Sequence, residues 1–390
     1  MLTLGRSPWH SPSTRCQTGS PCRPRLRVPR DESDLVYILY TSGTTGPSKG
    51  ATHCHRSALW TARVWHEMFE MEADDVGYSF LPLFHTTARN VLVANALIAG
   101  ASVALRERFS VREFWRDVSK YGATYFAYMG AIIQMLWNRE PVPGEEGNPL
   151  RVGGGAAAPP AITDAFEKRF GVRLIEVYGM TEIGTASGHR INDIVRGTMG
   201  KPFGHLELEI HDPHDNAVPA GTPGEIVVRP REPWAITQGY WKNPEATVEA
   251  WRNLWFHSGD LGKLTEDGYL IYLDRVKDSL RRRGENISSF EVERAVLAHP
   301  AVAEAAVYDV ASELTEDEVM VAVVLRPEAP FDPGEFFRFC ADTMPRFAVP
   351  RYVRLIAELP KTPTARVEKY KLRDQGVTPD TMDREKLAGA

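Results

Sequence analysis

The chain has 390 residues, 43% of them hydrophobic, with 46 Lys and Arg against 51 Asp and Glu and a formal net charge of -5. That length buries a substantial core and favours two or more domains, which excludes a small stapled scaffold; the charge gives no global attraction for nucleic acid or an anionic membrane. Cys16, Cys22, Cys54 and Cys340 lack CxxC spacing and are too few for a disulfide framework, so a reducing cytoplasm is the expected compartment.

Residues 1–30 hold six arginines, five prolines and no acid, and form a segment of different composition, expected to be disordered or to reflect a misplaced start of the reading frame. Its prolines oppose the amphipathic helix of a transit peptide. The run LVYILY, residues 35–40, is expected to be a buried strand. It leads into Thr41, Ser42, Gly43, Thr44, Thr45, Gly46, Pro47, Ser48, Lys49 and Gly50. Glycines permit close backbone approach, hydroxyls and amides donate to phosphate oxygens, and lysine adds charge, so a nucleotide triphosphate suits this loop. A Walker loop is disfavoured because Ser48, not glycine, precedes Lys49. His53 and His55 flank Cys54 without further metal ligands, and helix packing or a surface role is expected of them.

The apolar stretch 91–105 is interrupted by Asn95 and Ser102, falls short of the roughly 18 residues of a membrane span, and is expected to be core. VREFWRDVSKYG and PAITDAFEKRFG show helical spacing closed by Gly122 and Gly171, with ATYFAYM and VRLIEVYG as strands. Helix and strand therefore alternate, which predicts a layered α/β domain. A β-rich part follows in LELEIHD, GEIVVRP and GYLIYLDR. Beyond Asp274 a helix near residues 290–299, two strands, the helix PGEFFRFCADTM and a last strand predict a small α+β domain, with a loose polar tail after Arg373.

Several motifs occur in an order that resembles the adenylate-forming superfamily of acyl-CoA ligases, peptide-synthetase adenylation domains and luciferases. They are the loop around Lys49, Gly153 to Pro159, Tyr178-Gly179-Met180-Thr181-Glu182, His257 to Gly262, and Asp274-Arg275-Val276-Lys277-Asp278. Aspartate before Arg275, where the family usually has glycine, is shared with crotonobetaine/carnitine-CoA ligases, which the chain resembles over roughly 34–373. The resemblance implies an AMP-forming acid-thiol ligase using ATP, Mg2+ and CoA. It also implies a large AMP-binding domain over 31–274, a mobile domain over 275–375 on a hinge, and a tail over 376–390.

By the same resemblance, Tyr178 stacks on adenine beside Gly179, Gly154, Gly155 and Ala156 leave room for adenine and the acyl pocket, and Thr181 meets the α-phosphate. Glu182 holds the metal, Asp260 and Arg275 take the ribose, Lys277 is the pivot, Gly284 lies beside the CoA tunnel and His85 gates the acyl pocket. Arg281, Arg282 and Arg283 are either CoA-phosphate contacts or solvated surface. Arg366 stands where the family carries a catalytic lysine, a non-conservative exchange. Only about 40 residues precede the phosphate loop, whereas family members carry a long folded segment there; the resemblance implies a large domain that lacks its front. A member that binds nucleotide without turnover, or one that serves a carrier protein, are the alternatives. The acid is not legible, nor is the oligomeric state, for which a homodimer is one option.

Overall fold

The computed structural model describes residues 30–41, 48–142, 145, 147–276, 280–282, 285–311, 317–362 and 367–387. The segment 1–29, the loop 42–47, Lys277, Gly284 and Arg366 lie outside the described residues. Strands β1 (Leu35–Tyr40) and β2 (Gly50–Cys54) form an antiparallel hairpin that runs into helix α1 (His55–Phe69). The strand β1 is less buried than its composition predicts: Leu39 is covered, but Leu35, Val36 and Tyr40 are exposed. It belongs to a two-stranded sheet, so little of its surface is stacked against other layers.

The main sheet comprises β3 (Val76–Ser79), β4 (Ser102–Leu105), β5 (Tyr125–Met129), β6 (Val152–Ala156), β7 (Arg173–Met180), β8 (Gly184–Gly188) and β9 (Lys201–Pro202), ordered β4-β3-β5-β6-β7-β8-β9. Strands β4 to β7 are parallel, and β8 and β9 are antiparallel additions. Parallel strands must be covered on both faces. On one face Tyr125, Ala127 and Ile175 meet α1, the π-helix Thr87–Ala94 and α2 (Asn95–Ala99). On the other, Phe126, Tyr128 and Leu174 meet α3 (Phe114–Tyr121), α4 (Gly130–Trp137) and α5 (Pro160–Phe170). The alternation along β5 is the period-two pattern of a strand. Helices α3 and α5 stop where Gly122 and Gly171 take φ of 62° and 69°, as the spacing predicts. The stretch 91–105 is only partly core, because α2 turns Leu97 and Ile98 outward and Leu105 ends the edge strand β4.

A five-stranded antiparallel sheet follows: β10 (Leu206–His211), β11 (Gly224–Pro230), β12 (Trp251–Arg252), β13 (Trp255–Leu264) and β14 (Leu270–Arg275), with α6 (Pro244–Ala250) leading into β12. The C-terminal part opens with the hairpin β15 (Leu280–Arg282) and β16 (Glu285–Ile287). Around its own core it folds α7 (Ser289–Leu297), β17 (Val302–Ala311), β18 (Asp317–Leu325), α8 (Pro333–Thr343) and β19 (Tyr352–Leu355). The predicted loose tail is instead folded: α9 (Lys369–Gln375), β20 (Met382–Asp383) and α10 (Arg384–Leu387) close it. Strand β20 adds to β19, and Arg351 reaches the Asp383 carboxylate at 3.3 Å, which polarity alone does not reveal. The fold is mixed α/β, and no described helix is long and apolar enough to cross a membrane.

Candidate active site

Tyr178, Thr181 and Glu182 sit where the parallel strand β7 ends, the region that open α/β sheets leave for ligands. Strand β5 turns into α4 at Gly130, where an added Cβ would stand 1.7 Å from the Ala157 carbonyl oxygen. Ala157 itself has φ 61°. Strand β7 runs past this point and delivers Tyr178, Thr181 and Glu182 in one strand and turn.

The phosphate loop is closed at its neck by two bonds. The Thr41 amide donates to the Lys49 carbonyl at 2.9 Å, and the Lys49 amide donates to Thr41 Oγ1 at 3.0 Å. Thr44, Thr45 and the rest of Ser42 to Gly46 fall in the undescribed part. Lys49 Nζ lies 4.8 Å from the ring centroid of Tyr240, whose hydroxyl donates to Glu182 Oε1 at 2.8 Å. The segment carrying Tyr240 is itself paired to β2, with the Trp241 amide on the Gly50 carbonyl at 2.7 Å and the Thr52 amide on the Gly239 carbonyl at 2.9 Å. On its other side the Thr237 amide donates to the Glu182 carbonyl at 2.8 Å. Lys49 and Glu182, remote in sequence, are thus tied together through residues 237–241.

His53, weighed as a metal ligand only to be set aside, has a clear position. Its Nε2 lies 2.8 Å from the Thr181 carbonyl oxygen and Nδ1 3.1 Å from Ser57 Oγ. Burial pushes its pKa down from 6.5 to about 4. A carbonyl only accepts, so Nε2 carries the proton, and the neutral ring fastens the Thr181 turn to β2.

A second corner forms on β13 and β14. Asp260 is paired in register with Arg275, whose Nε lies 3.2 Å from Oδ1, and the Tyr178 hydroxyl donates to Oδ2 at 2.9 Å. Tyr178 is 5% exposed, with its ring among Ile183, Ala186, Leu206 and Phe256. That differs from an open stacking face for adenine: in this arrangement the phenol supports Asp260. Burial and the Asp260 charge raise the phenol pKa well above 10, which keeps the donor proton in place. Gly179 permits the β7–β8 turn, since a Cβ there would stand 2.2 Å from the Gly184 carbonyl oxygen.

Packing within the fold accounts for the glycines to which the resemblance gives a ligand-facing role. Gly154 and Gly155 are buried in β6, and the space of their missing Cβ atoms is filled by Trp65 and Phe69 of α1 and by the Tyr128 backbone. Ala156, by contrast, is exposed at the strand end. His85 is half-buried, with Nδ1 3.2 Å from the Thr87 amide.

Asp274 explains its own departure from glycine. It is 4% exposed and crosses to the start of α7, where its carboxylate accepts from the Ser289 amide, the Ser289 hydroxyl at 3.2 Å and the Phe290 amide at 3.4 Å. An anion suits a helix N-terminus. Arg282 is not solvated surface: it is buried, with Nε 2.8 Å from Glu318 Oε2 and Nη1 on the Phe347 and Val349 carbonyls at 3.1 Å.

Residues 178–182 join the two corners, with Tyr178 reaching Asp260 and Glu182 reaching Tyr240. Among the described residues no group of three or more His, Cys, Asp or Glu could hold a metal by itself. One carboxylate fits Mg2+ that keeps waters and arrives on phosphates. Sequence reading missed Tyr240, His53 as a brace, and the Asp274 contact. For Tyr240 the trace in the sequence is an aromatic after Gly239, a glycine held at φ 122°.

Residues 4–241 match the family model for the AMP-binding enzyme, and 291–366 match the AMP-binding enzyme C-terminal domain. The medium/long-chain-fatty-acid-CoA ligase FadD17 of Mycobacterium tuberculosis is 34% identical over 349 residues, 89% of this chain and 69% of that one. The crotonobetaine/carnitine-CoA ligase of Escherichia coli is 32% identical over 349 residues, 88% and 68% of the two chains. ATP-bound MatB from Rhodopseudomonas palustris aligns with a TM-score of 0.82 at 28% identity, covering 89% of this chain and 69% of that one. The o-succinylbenzoate CoA synthetase (MenE) from Bacillus subtilis, in complex with the acyl-adenylate OSB-AMP, gives 0.79 at 26%, covering 88% and 70%. With its two corners joined on one strand end and both family models matched in order, the chain belongs to the AMP-binding enzyme family.

Proposed function

We infer that the chain is an ATP-dependent, AMP-forming acyl-CoA ligase. The observation that carries this reading is the convergence on residues 178–182 of a cation and a carboxylate joined through Tyr240, Lys49 and Glu182, and of a carboxylate and guanidinium pair, Asp260 with Arg275. Asp260, held by Tyr178 and Arg275, accepts from the ribose hydroxyls. Lys49 and the loop from Thr41 take the phosphates, and Thr181, braced by His53, donates to the α-phosphate. Glu182 holds Mg2+, which when bound neutralises phosphate charge. The substrate carboxylate attacks the α-phosphorus and pyrophosphate leaves. The acyl-adenylate then passes its acyl group to the CoA thiol with release of AMP. A carboxylate is already a competent nucleophile, so the residues work by placement and charge.

His85 borders the acyl pocket, Arg275 and Lys277 belong to the segment about which the C-terminal domain turns between the half-reactions, and Gly284 lies beside the path of CoA. Arg366 supplies positive charge to the adenylation step. The relatives suggest carnitine-like acids and medium or long fatty acids as first candidates for the acid, and a reducing cytoplasm as the compartment. The test is acid-dependent exchange of pyrophosphate into ATP with a panel of such acids, then CoA-dependent release of AMP. A second reading, binding without turnover, draws on Arg366 replacing lysine. ATP affinity with no exchange for any acid would establish it in place of the first.

A further inference from the structure

Tyr240 lies outside every motif the sequence singled out, yet its side chain touches both charged groups of the phosphate corner. Its hydroxyl donates to Glu182 Oε1 at 2.8 Å, and its ring carries the Lys49 ammonium 4.8 Å from the centroid. Its backbone is equally committed. Tyr240 bridges Ala51 across β2, its amide donates to Thr247 Oγ1 at 2.9 Å, and three residues earlier the Thr237 amide holds the Glu182 carbonyl. Thr237 and Thr52 add hydroxyl bonds to the Thr52 and Gly239 carbonyls at 2.9 and 2.8 Å, which fix the segment against β2. The ring is therefore a rigid spacer between the end of the phosphate loop and the turn after β7.

We propose that Tyr240 is a positioning residue for the metal-nucleotide complex: its phenol occupies one oxygen of Glu182, and its ring seats the Lys49 ammonium. This rests on the reading that Lys49 and Glu182 face the triphosphate. Glu182 is 5% exposed, so its carboxylate cannot turn freely, and with Oε1 engaged the other oxygen is the one offered to a cation. One-oxygen coordination suits Mg2+, which demands near-ideal octahedral geometry and retains water. The ring face also places an ammonium without neutralising it, since a ring quadrupole attracts a cation but carries no net charge. A carboxylate in that place would compete with the phosphates; the aromatic does not.

The test is ATP affinity of the full chain, measured calorimetrically with and without Mg2+, in wild type, Tyr240→Phe, Glu182→Gln and the double variant. Wild type should bind ATP more tightly with Mg2+. Tyr240→Phe keeps the ring, so metal-free ATP affinity should stay within about twofold, while the Mg2+ enhancement falls about tenfold, the effect of losing a bond to a charged acceptor. Glu182→Gln should lower the enhancement at least as much as Tyr240→Phe, and adding Tyr240→Phe to it should change neither the residual enhancement nor the metal-free affinity; a merely structural tyrosine would lower metal-free affinity additively in both backgrounds. An undiminished enhancement in folded Tyr240→Phe, or additivity in the cycle, overturns the proposal alone. Wild type that binds no ATP overturns it together with the proposed function.

Discussion

Gly154→Ala separates two explanations of the glycine run. If the run exists to admit a ligand, an added methyl should weaken nucleotide or acid binding and leave folding intact. The structure says otherwise. A Cβ at Gly154 would stand 2.3 Å from Trp65 Cζ3 and 2.6 Å from Phe69 Cζ, both far inside contact distance. Neither ring can retreat cheaply. Trp65 is 2% exposed and its Nε1 donates to Thr185 Oγ1 at 2.7 Å, while Phe69 is fully buried and wedged edge-on between Trp65 and Tyr125. Overpacking costs about 1–3 kcal/mol, and displacing Trp65 from its hydrogen bond adds about 1 kcal/mol, so a loss of roughly 2–4 kcal/mol is expected. All nine tryptophans lie at or before Trp255, so tryptophan fluorescence in a urea titration reports the part that holds β6 and not the C-terminal part. Gly204→Ala is the control: nothing lies within 4 Å of its added Cβ, and the midpoint should barely move. An unfolding midpoint for Gly154→Ala equal to wild type, with ATP affinity reduced, would refute the packing account.

Arg282→Met should cost about 3 kcal/mol, because it leaves the Glu318 carboxylate, at 4% exposure, with only the looser Arg351 contact at 3.9 Å; CoA affinity of the folded variant should not change, and a stable variant with weakened CoA binding would reverse this assignment. His53 and His205 are both held by burial at about 4 against 6.5 unfolded, so the unfolded chain takes up protons first on acidification. The contribution of these two rings is then fully present above about 6.5, falls as pH drops towards 4 and levels off below. The His53 share is at most about 3 kcal/mol, and urea midpoints against pH should show a shallower fall in His53→Gln. Asp274→Ala removes the acceptor from the Ser289 amide and from the Arg275 amide at 2.7 Å, an expected loss of about 2–4 kcal/mol from orphaned donors. Hydrogen exchange should quicken at the start of α7, with Asp274→Asn falling between; unchanged protection there would sink the capping role.

How far the sequence reaches depends on the range of the interactions involved. Helix ends at Gly122 and Gly171 and the alternation of β5 were legible because spacing within one element records them. The run around Lys49 and the pair Asp260 and Arg275 were legible as motifs; of these, Lys49 meets Glu182 through Tyr240 and Asp260 meets Tyr178 directly. The cause of Gly154 was not, since the rings that fill its place come from α1, some ninety residues earlier in the chain. Tyr240 was hidden for a similar reason: no periodicity links positions 49, 182 and 240. Residues after Arg373 misled because one short strand, added at a sheet edge, needs few apolar side chains of its own.

The Asp274 carboxylate belongs to β14 but satisfies amides of α7, and the undescribed residues 277–279 lie between them. Any swivel of the C-terminal portion about that stretch must trade these bonds for water and leave the anion to find other donors. In the proposed turning of the C-terminal domain these bonds would act as a detent: they would define one angular stop, and substitution at this single side chain would shift the time the molecule spends there without altering a group assigned to substrate.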